Sequence, residues 1–301
     1  MTDPSRDCAA AGPLTGGGRV AAAGGRLTRH GYGLMVREDA EKTSARLATN
    51  YSASADGYAE FWSLVIRPLG RRLLEALPWD RASRILDVGT GTGALIHDIL
   101  SLAPTARVVG IDRSFGMIAR ATGRVPLVTM DAMTLGIRAG MFDIAVLAFV
   151  LFHVPDPSAA LAEVKRVLRR RGTVGMTTWG EDPATLASQI WDEELSGRGA
   201  WDPSPQPPDH ESMNTPEKVG GLLSAAGFTP GRVWIERLEY QWDVPRFTGL
   251  RTSFGATKRN LDTLDPQKRE AVLDRIRERM SHLNSKDLVC RGTAICATAA
   301  A

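Results

Sequence analysis

Three aspartates stand at the ends of short apolar runs, at positions 87, 112 and 131. Carboxylates at the tips of neighbouring strands can hold hydroxyl groups or cations. Between the first two lies Gly89-Thr90-Gly91-Thr92-Gly93, which follows Ile85-Leu86-Asp87-Val88 and precedes a helical pattern. Glycines there permit positive φ and let a ligand approach the backbone closely. Asp112 comes 19 residues after Gly93, at the tip of the next apolar run. A single carboxylate in that place can receive both hydroxyls of a ribose, at the switch point of a doubly wound sheet. Asp131 would lie next along the same edge, so the three acids are expected to converge on one crevice.

Two nucleotide-like ligands fit such a crevice. Gly89-x-Gly91-x-x-Ala94 satisfies the dinucleotide fingerprint, which would seat a pyrophosphate on a helix N-terminus and imply an NAD(P)-dependent oxidoreductase. Asp87 speaks against that, because it directs negative charge towards the phosphate. A cationic amino-acid group would welcome it. S-adenosylmethionine (SAM) carries an ammonium and a sulfonium, offers a ribose to Asp112 and has no phosphate. Electrostatics favours SAM.

Hydrophobic periodicity supplies the elements that must hold these residues. Residues 56–77 are apolar at helical spacing, with Pro68 placed to open a second helix. Arg84–Val88, 107–111, 126–130, 142–150 and 173–177 read as strands, and 93–103, 114–122 and 158–168 as helices between them. That alternation implies an α/β fold with a Rossmann-like, mostly parallel sheet covered by helices on both faces. A further helix at 216–226 and strands at 232–242 and 288–297 bring the sheet to seven strands. The expected organisation is a flexible tail over 1–34, which holds 8 of the 30 glycines, then N-terminal helices over 35–80 covering the cofactor. The core follows over 81–301, with inserts at 181–214 and 245–284 that read as a helical lid.

The combined motifs resemble class I SAM-dependent methyltransferases. They are nearest the small-molecule group that includes the ubiquinone/menaquinone-biosynthesis methyltransferases, called methyltransferase type 11. The resemblance rests on 85–95, on Gly110-Ile111-Asp112-Arg113-Ser114-Phe115-Gly116-Met117 and on 142–172, and extends over roughly 45 to 240. It implies that Asp87, Gly89, Gly91 and Gly93 hold the methionine end of SAM. Asp112 would hold the ribose, with Arg113 and Met117 flanking the adenine. Asp131 would accept from the adenine amino group, Ala132 would donate its backbone N–H, Phe149 would pack near the sulfonium, and Tyr51 would close over the cofactor. S-adenosylhomocysteine would be the product. One departure is Arg169-Arg170-Arg171-Gly172, where the family has a Pro-Gly-Gly turn; cations there would suit a helix C-terminus.

Methyl transfer from a sulfonium is an in-line displacement, and a general base is needed only when the acceptor loses a proton. His153, after the fourth strand's tip, is the first candidate base, and His210 the second, with packing as the alternative reading for each. Trp191, Trp201, Phe247 and Phe254 are candidates for an apolar acceptor pocket or for core packing. The Asn/Asp-Pro-Pro-aromatic turn of nucleic-acid and glutamine N-methyltransferases is absent; the corresponding place reads Phe149-Val150-Leu151-Phe152-His153. The net charge is +3 from 37 basic and 34 acidic residues, without a basic stripe, so no nucleic-acid partner is expected.

An apolar or aromatic small molecule of quinone, polyketide or other secondary-metabolite biosynthesis is the expected acceptor. A SAM-binding protein without methyl transfer is the other alternative. With 43% apolar and 24% charged residues the chain can bury a full core. No run of 18 apolar residues occurs, so no membrane span is expected. Cys290 and Cys296 fall on one strand, roughly 20 Å apart, and cannot bridge. No metal-ligand spacing involves them. A cytoplasmic protein is expected, and a homodimer is compatible with the sequence.

Overall fold

The structure, a computed structural model, describes residues 29–121, 124–180, 185–197 and 210–301, with backbone alone for 29–40. The chain divides into two units, 1–37 and 38–301. Of the first, residues 29–37 are described and are helical. Most of the expected tail, 1–28, lies outside the described residues, as do 181–184 and 198–209 of the first expected insert, which contain Trp201.

Helix α1 (Arg29–Ala53) is followed by a short turn, α2 (Ala55–Gly57), a π-helical turn (Tyr58–Trp62) and α3 (Ser63–Leu74). Strand β1 (Arg84–Val88), α4 (Ile96–Leu102), β2 (Arg107–Asp112), α5 (Phe115–Ala119), β3 (Leu127–Thr129), β4 (Phe142–Ala148), α6 (Pro157–Val167) and β5 (Leu168–Trp179) form the alternating core. Helices α7 (Leu186–Ser196) and α8 (Pro216–Ala225) lead to β6 (Thr229–Gln241). Then α9 (Val244–Ser253), α10 (Gly255–Asp262) and α11 (Pro266–Ser281) precede β7 (Val289–Ala300).

The sheet order is β3-β2-β1-β4-β5-β7-β6. Its first five strands pair in parallel, and β7 runs antiparallel to both β5 and β6. Strand order reverses between β1 and β4, so a crevice opens at their C-terminal ends. Alternate residues go to opposite faces, as a strand's period of two requires. Leu86, Ala145, Leu147, Val174 and Met176 join Leu161, Val164 and Val167 of α6 in one core cluster. Ile85, Ile144 and Val146 join Leu73, Leu74 and Ile99 in the other. Several helices start at a side-chain cap followed by proline: Asp156 before Pro157, Thr215 before Pro216 and Asp265 before Pro266.

Two expectations fail. Pro68 lies inside α3 rather than at a helix start. The π-helical turn runs straight into α3, and the carbonyl that proline leaves unbonded belongs to Leu64, an exposed residue. The three arginines are not a helix C-terminus either. Helix α6 ends at Val167, and Arg169, Arg170 and Arg171 belong to β5, with Arg171 at φ 67°.

Arg169 has a structural partner, Asp143 on β4, at 2.6 Å. The Asp143 carboxylate also accepts the Ser83 amide at 2.8 Å, the Ser83 hydroxyl at 2.9 Å and the Arg84 amide at 2.9 Å. It ties three adjacent strands at their starts. Burial disfavours its charge, but the Ser83 and Arg84 hydrogen bonds and the Arg169 charge outweigh that and hold the carboxyl below its usual range. A depressed native pKa gives stability that is complete above the unfolded value and fades as pH falls through the folded one. Asp143→Ala should therefore cost about 2–3 kcal/mol in urea unfolding near neutral pH. The difference between variant and parent should shrink below about pH 4. An unchanged midpoint would show that the strands are held otherwise.

Candidate functional site

Beyond Val88 the chain turns through Gly89 at φ 68°, Gly91 at φ 57° and Gly93 at φ 76° before α4. This left-handed region is unfavourable for residues with a Cβ. At Gly89 space is also short, since a Cβ there would fall 2.4 Å from Val150 Cγ2, whereas at Gly91 the positive φ alone is the constraint. The turn is anchored to β2, since the Thr90 amide donates to the Ile111 carbonyl at 2.9 Å and the Gly91 amide to Asp112 Oδ2 at 2.9 Å.

A cavity of about 450 Å³ opens over this turn. Its walls include Tyr51, Gly89, Gly91, Asp112, Arg113, Met117, Asp131, Ala132, Phe149 and His153. A side pocket of about 20 Å³ shares Tyr58, Gly89, Ala148 and Phe149 with it and holds Asp87, Thr90 and Arg67. The convergence of the three aspartates thus takes a finer form: Asp112 and Asp131 face the main cavity and Asp87 the side pocket. Gly93 lines neither; its amide closes the turn onto the Thr90 carbonyl at 2.9 Å.

Asp87 is buried and accepts the Thr90 hydroxyl at 2.7 Å. Among the described residues it has no ion-pair partner, because Arg67 binds Asp98 instead, at 2.9 Å. Burial drives its carboxyl up to about 7; the Thr90 bond opposes the shift and the Asp112 charge adds to it. Asp112 accepts two amides, Ser114 at 2.7 Å and Gly91 at 2.9 Å, which hold its side chain at the strand tip. Burial still raises its pKa against those bonds. Asp131 accepts the Met133 amide at 2.8 Å and pairs with Arg113 across the cavity wall.

Aromatic rings make the remaining wall. Phe149 sits at φ 59°, a strained conformation for a side chain of its size, and its ring meets Trp179 at 4.5 Å. Phe254 lies 5.2 Å from Tyr58 and 6.3 Å from Trp62. The end of α1 is bound across the cavity. Tyr51 and His153 are joined at 2.8 Å from Oη to Nε2, and Ser52 meets Ser114 at 2.7 Å. Burial, aided by nearby His210, lowers His153 to about 3, so its imidazole is neutral. Burial and the Asp112 charge raise Tyr51, opposed by Arg259, so its phenol is neutral too.

His210 lines the same cavity, its ring 4.5 Å from Phe152. Of the four aromatics expected for an acceptor pocket, Phe254 lines the cavity, whereas Trp191 and Phe247 are packed in the core. Trp62, Trp179 and Phe152 also line the cavity, without a sequence signal that marks them for the site. The helical spacing around Trp62 and the strand pattern before Trp179 do not distinguish a core-facing ring from a cavity-facing one.

A methyltransferase-domain family model matches residues 86–176. The malonyl-[acyl-carrier protein] O-methyltransferase of Legionella pneumophila is 30% identical over 149 residues, covering 47% of this chain and 52% of that protein. The chain thus spans about half of that relative's length. The demethylmenaquinone methyltransferase of Mycolicibacterium gilvum is 34% identical over 170 residues, covering 54% of this chain and 72% of that protein. Among solved structures, the YcgJ protein of Bacillus subtilis shares the fold, with a TM-score of 0.50 at 19% identity over 77% of this chain and 98% of that one.

The glycine turn yields a direct test. Gly89→Ala should destabilise the protein by about 1–3 kcal/mol through backbone strain and the Val150 clash. Adding Val150→Ala should recover part of that loss in thermal unfolding. No recovery in the double variant would mean that the Val150 contact does not limit the turn.

Proposed function

The chain belongs to the class I SAM-dependent methyltransferases, and on that premise we propose that it transfers the methyl group of SAM to an apolar or aromatic small molecule. The observation that carries this reading is Asp87, a buried carboxylate with no ion-pair partner among the described residues, beside a turn with glycine at each of its three positive-φ positions. Its pocket fits an ammonium group and repels a phosphate. Asp112, fixed by two amides, would take the ribose hydroxyls. Asp131 and Ala132, with Arg113 and Met117, would bound the adenine, and Phe149 would lie near the sulfonium. The helices before residue 80 contribute Tyr51, Tyr58 and Trp62 to the cover.

Bound SAM supplies an activated methyl group and a neutral sulfide leaving group. The protein's part is to align the acceptor and keep water away, and alignment of that kind is worth about 7–11 kcal/mol in favourable models. The cavity lining includes the rings of Trp62, Trp179, Phe152 and Phe254, and such a wall would suit a planar apolar acceptor. This supports an acceptor from quinone, polyketide or related secondary metabolism. The two curated relatives are named for different acceptors, malonyl-[acyl-carrier protein] and demethylmenaquinone, so the cavity wall is the better guide.

Calorimetric titration with SAM, S-adenosylhomocysteine and NAD(P) tests the reading. The first two should bind, whereas NAD(P) binding without SAM would overturn it. Asp112→Ala should weaken SAM binding by about 1.5–3 kcal/mol, the value of a charged hydrogen bond; undiminished affinity would remove Asp112 from the site.

Binding should also depend on pH. The ionised form of Asp87 holds the cation, so SAM affinity should rise as pH climbs through about 7. It should fall again as the ligand's own α-amino group loses its proton near pH 8. In Asp87→Asn the rising limb should vanish, and a profile unchanged from the parent would contradict the assignment.

A further inference from the structure

The sheet ends in two unlike edges. On one side β3 is only 3 residues long, whereas on the other β6 runs for 13 residues. Among the described residues β6 has a strand partner, β7, on one side only. Its two faces are supported. Leu238 shares a core cluster with Val219 and Leu223 of α8, and Trp234 packs against the cluster that holds Leu73 and Leu74 of α3. The outer edge is what stays open.

A long strand edge carries a row of unpaired amides and carbonyls, and proteins commonly blunt it with lysine, proline or a bulge. No lysine occurs in β6. Its proline and its bulge both fall at the beginning, at Pro230 and between Pro230 and Val233.

Three side chains form a row just beyond them. The Arg232 guanidinium lies 4.5 Å from the centroid of the Trp234 ring, and Trp234 Nε1 donates to Glu236 Oε1 at 2.7 Å. Residues two apart share a face of a strand, so a cation, a ring and a carboxylate succeed one another on one face. Val233 and Ile235 lie on the other, and Ile235 is 53% exposed. Neither Arg232 nor Glu236 has an ion-pair partner among the described residues.

We propose that β6 pairs with β6 of a second copy of this chain, antiparallel about a two-fold axis at Trp234, which joins two seven-stranded sheets into one. Such an axis, normal to the sheet, keeps every residue on its own face, so the register must centre on a residue. Centring on Trp234 sets Arg232 against the partner's Glu236, and by symmetry Glu236 against the partner's Arg232. Val233 then meets the partner's Ile235. Both charges gain a counter-charge, and the exposed isoleucine gains an apolar neighbour, the cross-strand pairs that stabilise a sheet. Centring on Glu236 or Arg237 would oppose like charges on the axis, and centring on Ile235 would leave Arg232 against leucine. Centring on Leu238 would match Arg237 with Glu239, but Glu239 is already bonded to Arg291 at 3.2 Å.

Sedimentation equilibrium of the full chain tests the pairing, and a monomer–dimer equilibrium is expected. Arg232→Glu puts like charges together at two symmetry-related contacts and should weaken the dimer by about tenfold or more, as should Glu236→Arg. The two variants mixed together should associate with each other, because every contact across the axis is again glutamate against arginine. Arg237→Glu should assemble like the parent. In the parent itself, amide hydrogen exchange over residues 232–236 should slow as protein concentration rises, while exchange in Leu127–Thr129 of β3 stays constant.

A parent that is monomeric at every concentration, or a dimer indifferent to both charge reversals, would overturn the interface. So would single variants that fail to recognise each other, or a dimer broken by Arg237→Glu instead. Arg232 and Glu236 line neither the main cavity nor the side pocket, so SAM titration of the variants should match the parent whatever their assembly state.

Discussion

A charge kept out of water without a partner is the constraint on which this site depends. Asp87 lies one residue before the end of β1, inside the protein, and among the described residues its only side-chain hydrogen bond is from the Thr90 hydroxyl. An isolated carboxylate in such surroundings is costly, and proteins answer by pairing the group or by shifting its pKa. Here the pKa has shifted to about 7, which leaves the group close to half-ionised near neutrality. A ligand cation entering the side pocket would restore the charge and recover that cost as binding free energy. The turn next to it passes through Gly89, Gly91 and Gly93 at positive φ, a path that glycine takes without steric cost and that lets a ligand approach the backbone closely.

The rest of the fold can be seen as what keeps that carboxylate in register with its neighbours. Parallel pairing sets Asp87 beside Gly110 on one side and Val146 on the other. The tip of β2 then carries Asp112 to the turn, where the Gly91 amide clamps it. At the opposite ends of the strands, the Asp143 carboxylate ties the starts of β1, β4 and β5. Above, the end of α1 and Phe254 from the start of α10 bring rings that complete the wall. The segment holding α7 and the run from α9 to α11 are bound to each other by ion pairs, including Glu194 with Arg275 and Arg279 at 3.0 and 2.9 Å. That attachment fixes the base from which Phe254 projects.

How much of this was legible in the sequence follows from which signals are local. The apolar run at Arg84–Val88 became β1 without adjustment, because a short buried strand bounded by glycines has few alternatives. Glycine spacing and the strand-tip acids located the crevice, and the positive φ values at Gly89, Gly91 and Gly93 agree with that spacing. Pro68 misled because its usual place at a helix start is a statistical preference that tertiary packing overrode. The arginines after Val167 misled because β5 begins at once, without the turn that a Pro-Gly-Gly would make. Trp191 and Phe247 were indistinguishable by type from Phe254, yet only the last reaches the cavity. Which way an aromatic side chain faces depends on elements far away in the chain, as does the meeting of Tyr51 with His153.

A crystal structure with S-adenosylhomocysteine bound addresses the central claim most directly. The ligand's ammonium is predicted within hydrogen-bond distance of the Asp87 carboxylate, with both ribose hydroxyls on Asp112. An amino-acid end turned away from the β1 tip, or density for the ligand outside the crevice, would contradict the account.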